Sequence, residues 1–383
     1  MPVSPPIKGL YVHIPFCDGK CRYCAFYSVP YNVHQASAWL RAVQDELQQA
    51  VREFGPLRPN TVFFGGGTPT LLPPDQLTAL CEMICSLVDL AECVEWTVEA
   101  NPGTLDARRL GMLKAYGVNR ISLGVQSLDD RVLRDLGRRH TVRDALVAVE
   151  GIVDAGFSNW SLDLIACVPG VSVDCWARAV DAAVSLGPMH VSVYALTAEE
   201  GTKLARDLDA GSIWLQDDDE QLLMLDTARE RLEKAGFSQY EISNYARPGQ
   251  ACRHNLSCWR GENYIGLGCA ASSRVGLKRW TNHSDLNGYL AGSPAGIPRE
   301  VERLSPITDA VERVVFGLRM TAGVDVEAIL SVTGTALEPQ AAVWRKTLTR
   351  LNQEGLLWLN EGRWCLTSRG RALADYVAVE LMP

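Results

Sequence analysis

Cys17, Cys21 and Cys24 fall in one short run, LYVHIPFCDGKCRYCAFYS, with the spacing C-x3-C-x2-C. Thiolates this close along a chain can converge on one soft metal centre. Three of them can hold three irons of a cubane cluster and leave the fourth iron open to a ligand. An open coordination position is what chemistry needs, whereas a purely structural site is closed. A zinc knuckle is the competing reading, but it normally takes four ligands, and no second Cys or His pair follows at zinc-finger spacing. Three unrelated buried thiols are the other alternative.

Such a loop needs elements to hold it. Leu10–Ile14 reads as an apolar strand running into the cysteines, followed by a helix over Ser37–Glu53. Thr61–Phe64 is the next strand and ends in GGGTPT, with a helix near Pro74–Val88. Strands follow over Glu95–Glu99, Asn119–Leu123, Asn159–Leu164 and His190–Ala195, each preceded by helix-like sequence. Six βα units predict a mostly parallel sheet, an α/β fold built as a partial barrel or an open wound sheet. In both architectures chemistry collects at the carboxyl ends of the strands. The unusual residues lie there: the cysteines after the first strand, Gly65–Thr68 after the second, Glu99 ending the third, Gln126 after the fourth and Asp163 ending the fifth. They predict one active face.

The 383 residues allow two or three domains, and 47% hydrophobic content fits a globular protein. A net charge of −8 disfavours a nucleic-acid partner. No stretch has the length of a membrane span, and MPVSPPIKG does not read as a signal peptide. Twelve cysteines in this context point to a reducing compartment, the cytoplasm, and not to a disulfide framework. After residue 215 the pattern changes. A helix runs from the acidic cluster Asp217–Glu220 to Ala235, and an aromatic and glycine-rich loop region follows up to about residue 300. From residue 301 the order helix, helix, helix, hairpin, helix is that of a winged-helix-like module, without a basic recognition stripe.

The cysteine run, GGGTP, EANPGT, GVQS and LDL together resemble the oxygen-independent coproporphyrinogen oxidase (HemN-like) branch of radical SAM proteins, over almost the whole chain. The resemblance implies a partial (β/α)6 radical SAM barrel with a C-terminal module. It also implies that Cys17, Cys21 and Cys24 ligate a [4Fe-4S] cluster whose open iron binds S-adenosylmethionine. An electron passed to the sulfonium would cleave a C–S bond to give a deoxyadenosyl radical, chemistry that belongs to the cofactor. The expected cofactor contacts are Tyr11, Tyr23, Gly66, Gly67, Thr68, Glu99, Gln126, Arg138 and Asp163, with Glu99 on ribose hydroxyls or the amino group and Arg138 on the carboxylate.

Within that branch the motifs are most similar to those of heme chaperones. Phe26 stands where the oxidases carry a further cysteine, and the chain lacks their longer N-terminal segment, so an active coproporphyrinogen III oxidase is not expected. His254-Asn255-Leu256-Ser257-Cys258-Trp259 resembles the chaperones' HNxxYW signature. It makes His254, Cys252, Cys258 and Trp259 the candidate heme contacts, with a neutral imidazole as axial ligand. Three positions depart from the pattern: Cys258 replaces the signature tyrosine, Ser272 a usual histidine and Cys167 a usual glycine. The implied function is to hold heme and pass it to acceptor hemoproteins, respiratory ones among them, with at most a peripheral encounter with a membrane. The alternatives are a radical C-methyltransferase or cyclopropanase and, more remotely, a coproporphyrinogen III dehydrogenase. Catalytic residues are not assigned.

Overall fold

Alternation along the first strand decides what the barrel contains. In β1 (Gly9–Ile14), Leu10, Val12 and Ile14 are fully buried in the outer core, while Gly9, Tyr11 and His13 point the other way, into the barrel. The computed structural model describes residues 5–292, 296–333 and 338–382, so the first four residues of the N-terminal stretch lie outside it. β2 (Thr61–Gly66), β3 (Glu95–Ala100), β4 (Arg120–Gln126), β5 (Trp160–Ala166) and β6 (His190–Ala195) follow β1 in sequence order, all parallel. The six expected strands are all present.

The crossovers are helical. α1 (Val33–Phe54) precedes β2 and α2 (Pro74–Leu87) precedes β3. α3 (Ala107–Ala115) leads to β4, the pair α4 (Asp130–Asp135) and α5 (Val142–Asp154) to β5, and α6 (Val173–Ser185) to β6. α1 starts at Val33 and not at Ser37, because the Asn32 side chain accepts from the backbone N–H groups of His34 and Gln35 and caps the helix there. Trp39, Val43 and Leu47 of α1 pack on the outward face of the sheet. Each such buried side chain stabilises the fold by roughly 1.5–3 kcal/mol.

The register stacks the inward side chains in layers. Gly9, Thr61 and Glu95 are paired at the foot, and Tyr11, Phe63 and Thr97 across the middle. His13 pairs with Gly65 at the mouth, where Glu99 pairs with Ser122. The strands do not close into a ring. The far edge of β6 pairs with antiparallel strands, α7 (Lys203–Asp209) and α8 (Asp218–Lys234) leading to β7 (Ser238–Glu241) and β8 (Asn244–Ala246). The free edge of β1 takes β9 (Tyr264–Leu267), followed by β10 (Ser272–Val275), β11 (Lys278–Asn282) and β12 (Arg299–Arg303). The stretch expected to be irregular therefore supplies six strands to one twelve-stranded sheet. These strands are three to five residues long and of mixed polarity. They carry too little alternation to stand out in the sequence.

Glu46 of α1 fastens this extension to the barrel. Its buried carboxylate accepts from Gly268 N (2.9 Å), Asn282 Nδ2 (2.7 Å), the Tyr289 hydroxyl (2.8 Å) and Arg299 Nη2 (3.1 Å). Tyr289 belongs to α10 (Leu286–Ala291).

The C-terminal module has its own core around Trp344, Leu348 and Leu351. It consists of α11 (Pro306–Arg319), α12 (Val326–Thr333), α13 (Glu338–Gln353), the hairpin β13 (Leu357–Asn360) and β14 (Arg363–Leu366), and α14 (Ser368–Ala372) and α15 (Ala374–Leu381). The expected order holds, with α14 as an additional short turn of helix. It docks through charge: Arg274 of β10 pairs with Asp309 and with Glu312 (3.4 Å), and Arg279 with Glu312 (2.8 Å).

Replacing Glu46 with Ala leaves Arg299 without its carboxylate and strips three further donors. We expect a loss of about 3 kcal/mol, read as a lower urea midpoint with an unchanged slope.

Candidate functional site at the barrel mouth

The turn after β2 presses against the strand that carries the cysteines. Gly67 N donates to Ile14 O and Thr68 N to Phe16 O, both at 2.8 Å. A Cβ at Gly67 would stand 2.5 Å from Phe16 O, and Gly66 adopts φ +106°, where a Cβ would stand 2.6 Å from the His13 ring. No other residue type fits either position. The approach carries Thr68 to Cys17, with 3.4 Å between Oγ1 and Sγ.

His13 is held in one tautomer. Its Nε2 donates to Tyr27 O (3.1 Å), so Nδ1 must accept from the Tyr11 hydroxyl (3.1 Å). Burial draws the His13 pKa down to about 4 and keeps the ring neutral.

Cys17, Cys21 and Cys24 are half-buried free thiols after β1, Cys17 in a short extended pair with Pro30 and the other two on the loop that follows. Burial pushes Cys24 up, with the Cys21 and Cys17 sulfurs adding to the shift, so the three stand within electrostatic reach of one another. Among the described residues no three His, Cys, Asp or Glu side chains already stand as a metal site. The three cysteine sulfurs nevertheless lie near one another. Arg138 overlooks them: its Nη1 lies 3.7 Å from Cys21 Sγ, and its Nη2 donates to Asn101 Oδ1 (2.6 Å) and Gly124 O (2.7 Å). Arg138 Nε is buried and has no partner. The donor set fits the implied groups: soft sulfur ligands for iron, and a spare guanidinium donor for a ligand carboxylate.

Glu99 and Asp163 form the acidic side of the mouth. Among the described residues Glu99 accepts a single hydrogen bond, from Gly66 N (3.1 Å), whereas Asp163 accepts from Ser192 (2.7 Å) and Ser122 (3.3 Å). Burial, reinforced by Asp163, pushes Glu99 from its ordinary 4.5 up to about 7, against the pull of the Gly66 N–H. Its surroundings are protein on every side, yet water reaches it through the mouth, which is where a cationic ligand group would sit. Gln126 is at the rim with φ +69°, next to the irregularity that shifts the β4–β5 register.

The two predicted tyrosines border these groups. Tyr11 is deeper in the barrel than the cysteines, between His13 and His254. Tyr23 packs from the cysteine loop onto Val132, Leu136 and Ile165, and its hydroxyl stands beside the Arg138 guanidinium, within electrostatic reach of Cys21 and Cys24. Two residues were missed. Asn101 connects Arg138 to Thr68, and its place two residues after Glu99 in EANPGT was a usable signal. Tyr194 of β6 is 43% exposed, yet its hydroxyl is set among protein groups, and that burial, with Asp163 and Glu99 adding to it, raises its phenol pKa. Nothing local in the sequence marks it.

The four candidate heme residues are not at this mouth. His254, Cys258 and Trp259 belong to α9 (Arg253–Trp259), a helix where a loop was expected, at the foot of the barrel, and Cys252 is its N-cap residue. Glu95 caps it, accepting from Arg253 N and His254 N (both 3.0 Å) and from Cys252 Sγ (3.5 Å). His254 is 6% exposed, stacks on Phe63 with centroids 5.1 Å apart, and shares a 2.9 Å hydrogen bond between Nδ1 and Thr61 Oγ1. Burial draws its pKa down to about 4, and pushes the Cys252 and Cys258 thiols up to about 12 and about 11. Trp259 packs on the C-terminal module, with the Arg319 guanidinium 4.6 Å over its ring and Phe316 beside it. Cys167, at the departure from a usual glycine, holds φ +62°, the left-handed backbone that explains the glycine. Ser272 hydrogen-bonds Thr281 across β10 and β11 (2.9 Å).

A half-barrel of parallel strands with three cysteines on the loop after its first strand, facing a glycine turn and two acids, is the arrangement of the radical S-adenosylmethionine class. The radical SAM superfamily profile matches residues 11–183, and that of the HemN C-terminal domain matches residues 304–373. The chain is 37% identical over 380 residues to the heme chaperone HemW of Mycobacterium tuberculosis (strain ATCC 25618 / H37Rv), covering 98% of this chain and 94% of the relative. It is 33% identical over 374 residues to the HemW of Bacillus subtilis (strain 168), covering 97% and 98%. The solved structure of Escherichia coli coproporphyrinogen III oxidase, HemN, shares the fold with a TM-score of 0.85 at 23% identity, over 99% of this chain and 90% of that one. The chain belongs to the HemW family of radical SAM proteins.

Membership implies a [4Fe-4S] cluster and S-adenosylmethionine at this mouth. When bound, they supply one-electron cleavage of a sulfonium C–S bond. The residues that would hold them are the three thiols, with Arg138 as a fixed cation, Glu99 and Asp163 as acceptors, and a glycine turn that leaves room for a ligand. Among the described residues no helix is long and apolar enough to cross a membrane.

Without a ligand, Glu99 is a liability that grows with pH. The unfolded chain releases this proton near 4.5 and the folded chain only near 7, so the folded state binds more protons in between. Stability therefore falls as pH rises through that window. Glu99→Gln should flatten this fall in the cluster-free protein, measured by urea unfolding between pH 5 and pH 7.5.

Proposed function

We propose that this protein is a heme chaperone: it binds heme and transfers it to acceptor hemoproteins in the cytoplasm, with the cluster and S-adenosylmethionine in a supporting role. The observation that carries this reading is the near-full-length identity with proteins named as heme chaperones, across both the barrel and the C-terminal module. Phe26 adds to it, a 71% exposed apolar side chain at the position where the oxidases carry a cysteine. Twelve unpaired thiols suit a reducing compartment.

Among the candidate ligands His254 is preferred. Its imidazole is neutral at physiological pH, while burial keeps Cys252 and Cys258 as protonated thiols, the poorer ligands. Trp259 is engaged by Arg319. Because His254 is buried beneath Phe63, ligation requires α9 to open from the foot of the barrel. Heme and cluster would then occupy opposite ends of the barrel.

The complete acidic and cationic rim around Glu99, Asp163 and Arg138 favours a second reading, a radical enzyme such as a C-methyltransferase or cyclopropanase. A heme titration of anaerobically reconstituted protein separates the two. Saturable one-to-one binding, weakened at least tenfold in His254→Ala, is the expected result. No specific binding, with deoxyadenosine still formed, would assign the chain to the enzymes.

A further inference from the structure

Hydrogen-bond direction around Asn101 is fixed by chemistry. Arg138 can only donate, so its Nη2 contact at 2.6 Å requires Asn101 to present Oδ1 to it. The Asn101 amide nitrogen then faces Thr68 and donates to Oγ1 at 2.7 Å. With its oxygen engaged as acceptor, the Thr68 hydroxyl keeps its own proton to give, and Cys17 Sγ lies 3.4 Å away. The same guanidinium points Nη1 at Cys21 Sγ, 3.7 Å away. In the protonated state Cys17 Sγ lies 3.7 Å from Asp18 Oδ1, and loss of the thiol proton makes the sulfur an acceptor only.

We propose that Asn101 is a positioning residue for the metal centre, an amide keyed between Arg138 and Thr68 so that each aims a hydrogen-bond donor at a different cysteine ligand. The proposal rests on the cluster that family membership implies, and it assigns to Asn101 a role beyond the heme-carrier reading. Several features hold the relay in place. Thr68 is buried and its backbone N–H is tied to Phe16 O at 2.8 Å. The Asn101 carbonyl accepts from Thr104 N (3.1 Å) and Thr104 Oγ1 (2.7 Å), which fixes the turn after β3. Gly124 leaves space for the amide: a Cβ there would stand 3.0 Å from Asn101 Oδ1.

Donors on ligand sulfurs withdraw electron density and favour the reduced cluster, the form with the greater negative charge. Removing them makes the cluster harder to reduce. The test uses the full chain, anaerobically reconstituted, with iron and sulfide assayed in each sample and the cluster titrated with reductant by electron paramagnetic resonance. Asn101→Ala and Thr68→Val should each lower the ratio of reduced to oxidised cluster at a fixed potential, by about fivefold. Thr68→Ser, which keeps the hydroxyl, should restore the wild-type ratio. Asn101→Ala and Thr68→Val with full clusters and unchanged ratios would overturn the relay, as would a Thr68→Ser variant that behaves like Thr68→Val. If Asn101→Ala assembles no cluster, the contrast between Thr68→Val and Thr68→Ser decides by the same criteria. A wild-type chain that takes up no iron would refute the metal site itself, a failure the assay separates from a change in potential.

Discussion

The mouth of this barrel depends on one close approach, the Gly66–Thr68 turn lying against the end of β1. Two backbone hydrogen bonds to Ile14 O and Phe16 O and two absent Cβ atoms bring the second βα turn against the first. Everything else is referred to that contact. Thr68 reaches Cys17, Gly66 N reaches Glu99, and His13 is pinned between Gly66 and the Tyr27 carbonyl in a single tautomer. A side chain at either glycine would separate the cysteine loop from the acids that face it.

The inward layers then divide the barrel into two electrostatic environments. At the mouth, Glu99 has one backbone donor and a second carboxylate as neighbour, an arrangement that a cationic ligand relieves. At the foot, Glu95 receives three donors from the start of α9 and serves as that helix's cap. Two glutamates on the same strand thus do opposite things, because one is saturated by a helix N-terminus and the other is left nearly bare. The C-terminal module touches the foot through Trp259 and Arg319, which puts it beside α9 and away from the cysteines.

Much of this was legible in the sequence for a physical reason. The parallel strands alternate apolar outward residues with inward ones that are often polar, a period-two trace, and chemistry in such folds collects at the carboxyl ends. The cysteine run, the glycine turn, Glu99, Arg138 and Asp163 were therefore expected on one face, and the structure gathers them at one end of the barrel. The six added strands were not found, because short edge strands of mixed polarity leave no periodic trace. The segment carrying His254 read as loop because its seven helical residues include few strong helix formers and depend on Glu95, far away in sequence, for their cap.

By itself the sequence determined which residue types stand at the strand ends and at what spacing, since local alternation and turn chemistry need no distant partner. Only the tertiary structure decided which of them meet. It joined Asn101 to Arg138 and Thr68, left Glu99 nearly unpartnered, and moved His254 to the opposite end of the barrel from the cysteines. Those outcomes follow from register between strands and from hydrogen bonds between residues far apart in the chain, and neither is written in any local stretch of sequence.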